Sequence, residues 1–153
     1  MPSRRSDIEM TDGEVLAFLD EQMVMQCATL GPRGLPHMVP LWYLPEGTEL
    51  VGWTYAKSQK AKNLERDARA TIGIEDGVRY EELRGVMFEC DVRLDRDTEA
   101  IERVGLRLFE RYAGGLTGEL REMVANQARK RIGLRFVPTR VVSWDHRKLG
   151  GAY

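Results

Sequence analysis

Histidine and cysteine are scarce, with two of each in 153 residues. His37 and His146 stand far apart and the cysteines are not clustered, so the ligand spacings of a zinc site are missing and no metal is expected. Cys27 and Cys90 each lie inside an apolar, strand-like segment and read as small buried hydrophobes rather than a disulfide. Charge of one sign is lacking too. A formal net charge of -1 provides no overall field for a polyanion, so nucleic acid is not an expected partner and any phosphate must be held by a local basic cluster. No apolar run approaches the ~20 residues that span a bilayer, and the polar N-terminus has no signal-peptide core. The expectation is a cytoplasmic protein with no membrane partner. Repeats, low-complexity tracts and linker-like runs are absent, so residues 1–153 read as one domain, with 1–10 a flexible N-terminal segment.

What is present is a β-rich pattern with helices interposed, in a chain of 42% hydrophobic content, ordinary for a globular fold. Thr11-Asp12-Gly13-Glu14 has the form of a capping box, and Val15, Leu16, Phe18 and Leu19 follow at helical spacing, predicting a helix to about Glu21. Met23 to Leu30 and His37 to Leu44 flank the turn residues Gly31-Pro32-Arg33-Gly34 and read as a hairpin. Pro45 to Thr48 leads into a third strand, Glu49 to Thr54, expected beside the hairpin as a meander. A short helix over Gln59 to Arg66 precedes strands at Ala70 to Glu75 and Arg84 to Arg93, the latter placing Val86, Phe88, Cys90 and Val92 on one face. Asp97 is a candidate N-cap for a helix with an apolar stripe of Ile101, Val104, Leu108, Phe109 and Tyr112, stopped at Gly114-Gly115. A further helix carries Leu120, Met123, Val124 and Ala128. Two last strands, Ile132 to Val137 and Arg140 to Trp144, are separated by Pro138. This inventory predicts a β-rich α+β domain.

Chemistry concentrates between Trp53 and Asn63. Lys57, Lys60 and Lys62 stand close together with Ser58 and Gln59 among them and no acid before Glu65. They follow an apolar strand, and a helix beginning near Gln59 aims its free N–H groups and positive dipole end back at the strand's tip. That arrangement suits phosphate; the plainer alternative is a solvated helix start. Trp42, Tyr43, Trp53 and Tyr55 are placed by the pattern at strand ends near this segment, as stacking surfaces for a planar ring or as ordinary core and interface. Neither histidine is assigned a catalytic role, and no acid–base constellation is apparent. The end of the chain, Trp144 to Gly151, reads either as a solvated tail or as an arm that covers a neighbouring subunit's anionic ligand with Arg147 and Lys148.

The run WTYAKSQKAKNLERDARATI, preceded by GLPHMVPLWYL, resembles the cofactor-binding stretch of the pyridoxamine 5'-phosphate oxidase-like split barrels, over about Leu16 to Arg93. The resemblance implies a split β-barrel with peripheral helices. It also implies a homodimer with cofactor at the subunit interface, acting on a small-molecule substrate. Lys60 falls at the family's phosphate-contacting lysine with Ser58 near it, and Asn63 falls where the deazaflavin-using branch carries Lys-x-x-Asn. Flavin-binding members commonly have arginine where this chain has Gln59. The cofactor implied is therefore coenzyme F-420 (8-hydroxy-5-deazaflavin), whose oligoglutamate tail gives Lys57, Lys62 and Arg147 a role; FMN is the alternative. The cofactor-binding residues expected are Trp53, Thr54, Lys57, Ser58, Lys60, Lys62 and Asn63. The activity implied is an oxidoreductase transferring hydride to an unsaturated small molecule, with an FMN-dependent reductase or oxidase, or a non-enzymatic flavin, deazaflavin or haem carrier, as rivals.

Overall fold

A computed structural model describes residues 4–151. After a short helix α1 (Arg4–Asp7), helix α2 (Asp12–Glu21) begins on the expected capping box: Glu14 N donates to Thr11 Oγ1 and Thr11 N to the Glu14 carboxylate. Val15, Phe18 and Leu19 face inward. Strands β1 (Met25–Leu30) and β2 (Pro36–Leu41) form the predicted hairpin, in register from Met25–Leu41 to Leu30–Pro36. Gly34, at φ 79°, provides the left-handed residue that this turn needs.

Strands β3 (Leu44–Glu46) and β4 (Glu49–Tyr55) follow, then α3 (Gln59–Arg66), β5 (Arg69–Asp76) and β6 (Arg84–Asp95). Helices α4 (Thr98–Ala113) and α5 (Gly118–Ala128) precede the long β7 (Arg131–Asp145). The sheet runs β2-β1-β5-β6-β7-β4-β3 with antiparallel neighbours. It curls into a half-barrel, as the expected β-rich α+β split-barrel class requires. The expected three-strand meander does not form, because β4 pairs with β7 instead of the hairpin. Its run from Leu50 to Thr54 is buried throughout, and a strand buried on both faces belongs inside the sheet with cover on each side. The exposed and half-buried alternation of β2 suits an edge.

Pro138 does not divide the last strand either. It sits at a bulge in the β6–β7 ladder, where Glu89 pairs with Arg140 and Cys90 with Pro138; the extra residue, Thr139, donates its hydroxyl to Glu89 O at 3.1 Å. A bulge absorbs a residue without an amide hydrogen while the strand continues.

Two apolar clusters result. One fills the barrel with α2, α3 and the inward residues of β1, β4, β5, β6 and β7, including both cysteines, which are free thiols. The other lies between the opposite face of β4 and helices α4 and α5. There Gly105 admits the Trp53 indole, against which any Cβ at this position would collide.

The N-terminal segment is anchored rather than free from Ile8 onward. Ile8 O accepts from Asp145 N at 2.7 Å, and buried Met10 donates its N–H to Ser143 Oγ. Of the segment 1–10 expected to be flexible, residues 1–3 lie outside the described residues. Among the described residues no helix is long and apolar enough to cross a membrane.

Candidate functional site

Strand β4 alternates across the sheet, so Trp53 faces α4 while Thr54 faces the opposite side. The chain then turns, with Ser58 N donating to Tyr55 O, and Ser58 caps α3 by accepting from Ala61 N at 3.1 Å. Helical spacing turns Lys60, Ala61, Asn63 and Leu64 inward. Lys60 is only 6% exposed. Its ammonium donates to Thr54 Oγ1 at 3.1 Å, and Thr54 Oγ1 lies 3.2 Å from Ser58 Oγ.

The lysine thus uses one of its three donors on a neutral hydroxyl, and no carboxylate pairs with it among the described residues. Burial lowers its pKa, and Arg131 lowers it further. Cys27 supplies no counter-charge at neutral pH, because burial pushes its thiol up to about 11. A buried cation without a partner is costly unless an anion completes it.

Asn63 is fully buried. Its Nδ2 donates to Thr29 Oγ1 at 3.0 Å, while Oδ1 accepts from Gln59 Nε2 at 2.8 Å and from Arg66 at 3.3 Å. It therefore braces α3 against β1 and orients Gln59.

The structure brings together Thr54, Ser58 and Lys60, with Asn63 holding Gln59 beside them, but not the three lysines. Lys57 and Lys62 are exposed, and Lys62 lies 3.9 Å from the Glu65 carboxylate. Two residues along a helix from Lys60 is the opposite face. The second positive charge comes instead from Arg131, which the sequence reading missed inside the ordinary-looking run Arg129-Lys130-Arg131. The β4–β7 register sets it opposite Tyr55. Its guanidinium lies 4.4 Å from the Trp53 ring centroid and 4.0 Å from that of Tyr55, and its Nε is buried without a hydrogen-bond partner among the described residues.

The aromatic residues do not form the stacking cluster that their strand-end positions suggested. Trp53 packs under α4 and α5, with the Phe109 ring at 6.5 Å. Trp42 stacks on Tyr112 at 4.3 Å, and buried Tyr43 donates its hydroxyl to Leu19 O and Gln22 O. Trp42 and Tyr43 are thus held by α4 and α2, whereas Trp53 and Tyr55 carry the Arg131 guanidinium.

The C-terminal residues fold back on their own chain. Arg147 forks onto Asp145 through two bonds of 2.9 and 2.7 Å, Lys148 reaches Glu14 and Glu9 O, and His146 Nδ1 lies 2.7 Å from Tyr80 O. Arg147 is neutralised within its own subunit, which argues against the covering-arm reading.

Comparison with known proteins accords with this architecture. No match is found among curated proteins. A conserved hypothetical protein, Rv2991, from Mycobacterium tuberculosis is 44% identical over 97% of this chain and 93% of its own, with a TM-score of 0.89. An F-420 reductase is 21% identical, covering 82% of this chain and 93% of its own at a TM-score of 0.67. HutZ, a haem storage protein from Vibrio cholerae, is 19% identical over 86% and 93% at a TM-score of 0.67. At such identities the last two show a shared fold. The pyridoxamine 5'-phosphate oxidase family model matches residues 11–145, all seven strands and helices α2 to α5, and the chain belongs to that family.

Proposed function

We propose that this protein is an oxidoreductase that uses a phosphorylated, flavin-type cofactor, coenzyme F-420, to deliver hydride to an unsaturated small molecule. The observation that carries this reading is Lys60, a buried ammonium with spare donors and no counter-charge among the described residues, set among Thr54, Ser58 and the start of α3. An anionic oxygen group supplies what that lysine lacks. Thr54, Ser58 and Lys60 would hold the cofactor's phosphate end, while Asn63 keeps Gln59 in place. When bound, the deazaflavin supplies the hydride chemistry, and the protein's contribution is orientation and exclusion of water by the apolar barrel wall.

Gln59 favours the deazaflavin over FMN, since it offers an amide where a guanidinium would give a phosphate monoester a charge-assisted contact. Exposed Lys57, at the mouth of the segment, is available to a long anionic tail. The F-420 reductase among the structural neighbours is consistent with this choice. The proposed assembly is a homodimer. An open groove of about 580 Å³ runs along β1, β5 and β6, with Ala28 and Thr71 side by side on the outward face of the sheet. Leu30 and Met38, 41% and 65% exposed, lie on the same hairpin; such a surface matches a two-fold partner.

The test is a titration of the purified protein with F-420 and with FMN at about 0.05 and about 0.5 M salt, where screening lengths are roughly 14 and 4 Å. Tighter F-420 binding that weakens with salt more steeply than FMN binding supports the proposal. FMN retained through purification and bound more tightly at both salts replaces it with the flavin alternative. A haem spectrum replaces it with a carrier.

A further inference from the structure

Strand β4 ends with a cation on each side. Thr54, on one face, accepts from Lys60. Trp53 and Tyr55 leave the opposite face, and the β4–β7 register sets Arg131 across from Tyr55 and therefore on the same side. Its guanidinium accordingly rests against both rings, 4.4 Å from the Trp53 centroid and 4.0 Å from that of Tyr55. Gln127, in the last turn of α5, accepts from the Tyr55 hydroxyl at 3.1 Å and from Arg131 at 3.4 Å. Strand, helix and rings together hold the guanidinium in place.

What this guanidinium lacks is an anion. It makes no ion pair with a described residue, and its Nε is buried without a hydrogen-bond partner among them, a condition that costs free energy. Burial lowers its pKa, and the neighbour that offsets this is the Tyr55 hydroxyl rather than a carboxylate. Nor does the surrounding chain supply an acid, since none occurs from Val51 to Leu64 or from Met123 to Phe136. These segments are joined at their turns, where Ala56 N donates to Lys130 O at 2.9 Å. Arg129 and Lys130, both exposed, stand on the α5–β7 turn, also without ion pairs among the described residues. A chain whose net charge is -1 thus gathers unpaired cations around a half-buried arginine. Aromatic rings engage the face of a guanidinium and leave its edge to an oxyanion. Tyr55, 47% exposed, offers a flat surface beside that edge. A carboxylate matches the fork, and a planar apolar group attached to it matches the ring.

We infer that Arg131 holds a carboxylate of the substrate, with the substrate's planar part lying along Tyr55. Arg131 is in this role a binding and specificity residue, and Arg129 and Lys130 add the field that draws an anion to it. The inference rests on the reading of the chain as an oxidoreductase of a small unsaturated molecule, and it narrows that molecule to a carboxylic acid. Strand β4 stands between Arg131 and the Thr54–Lys60 pair, so the carboxylate site is separate from the contacts proposed for the cofactor's phosphate end.

The test uses the full chain, with benzoate as the probe and benzamide and chloride as controls. The Nε–H signal of Arg131, assigned by its loss in Arg131→Met, is followed by NMR, and affinities in the variants are read from tryptophan emission. Each variant is verified as folded by circular dichroism. The expected result is a saturable shift of the Arg131 signal with benzoate, at least about tenfold weaker binding of benzamide, and no comparable shift with chloride at equal ionic strength. Arg131→Met should weaken benzoate binding about tenfold, the scale of one hydrogen bond to a charged group. Arg131→Lys, which keeps the charge and loses the fork, should recover only part of that affinity. Saturating F-420 should leave the benzoate shift in place. The absence of a saturable shift, equal binding of benzoate and benzamide, or displacement of benzoate by F-420 overturns the site. If benzoate binds through Arg131 while neither F-420 nor FMN binds, the carboxylate site stands and the cofactor reading fails. If Arg131→Met does not fold, Arg131→Lys and the wild-type titration decide.

Discussion

Replacing Lys60 by methionine should stabilise the ligand-free protein while crippling the cofactor-bound one, the signature of a binding group maintained at a structural cost. The side chain is 6% exposed and its ammonium has, among the described residues, a single hydroxyl partner, Thr54 Oγ1 at 3.1 Å. Burial lowers its pKa, so the folded protein binds that proton less tightly than the unfolded chain does. The charged form is therefore disfavoured by folding at neutral pH. Methionine keeps the apolar stem in its packing, and Thr54 retains Ser58 Oγ at 3.2 Å as a partner. The expected gain is about 0.5–2 kcal/mol, or ~2–4 °C in Tm per kcal/mol for a chain of this length.

The sign of the pH dependence follows from the same shift. Below the folded pKa the penalty is fully present. As pH rises from there toward 10.5, the ordinary lysine value, wild type loses the penalty and its stability approaches that of Lys60→Met. In the cofactor titration the same variant should lose about 1.5–3 kcal/mol, the worth of a hydrogen bond to a charged group, or roughly ten- to a hundredfold in affinity. The assays are urea unfolding across neutral to alkaline pH and fluorescence-monitored F-420 binding. A variant that is less stable than wild type and binds cofactor equally well would show Lys60 to be a structural residue, and the reasoning would fail.

Two other substitutions probe the scaffold. Gly105→Ala drives a methyl group into the Trp53 indole and to 2.8 Å from Val124 Cγ1; overpacking of about 1–3 kcal/mol should exceed the helix-propensity gain of up to about 1 kcal/mol, giving a lower urea midpoint and altered tryptophan emission. Asp145→Asn breaks the fork to Arg147, whose hydrogen bonds are the main cause holding this buried carboxyl below its ordinary 3.8. Because the folded pKa is depressed, the carboxylate's contribution is complete above 3.8 and is lost as pH falls through the folded value, so wild type and Asp145→Asn should converge in stability under strong acid while differing at neutral pH.

Local signals in the chain were enough for the elements that depend on neighbours in sequence. The capping box at Thr11 and Glu14, the hairpin around Gly34 and the Asp97 cap of α4 each arise within a few residues, where side-chain chemistry alone selects the backbone conformation. The proximity of Thr54, Ser58 and Lys60 was legible for the same reason, since they sit on one continuous strand–turn–helix segment. Strand partners were not legible. The apolar run of β4 marks a strand buried on both faces, yet nothing local says that its neighbour is β7, some eighty residues later, rather than the adjacent hairpin. That pairing decides the site's charge. It sets Arg131 beside Tyr55, while helical rotation sends Lys62 to solvent and Lys60 inward. It likewise takes tertiary contacts to leave His37 Nδ1 buried and, among the described residues, unpartnered. Burial and long-range register are properties of the assembled sheet, so the residues whose meaning depends on them become readable only once the sheet is formed.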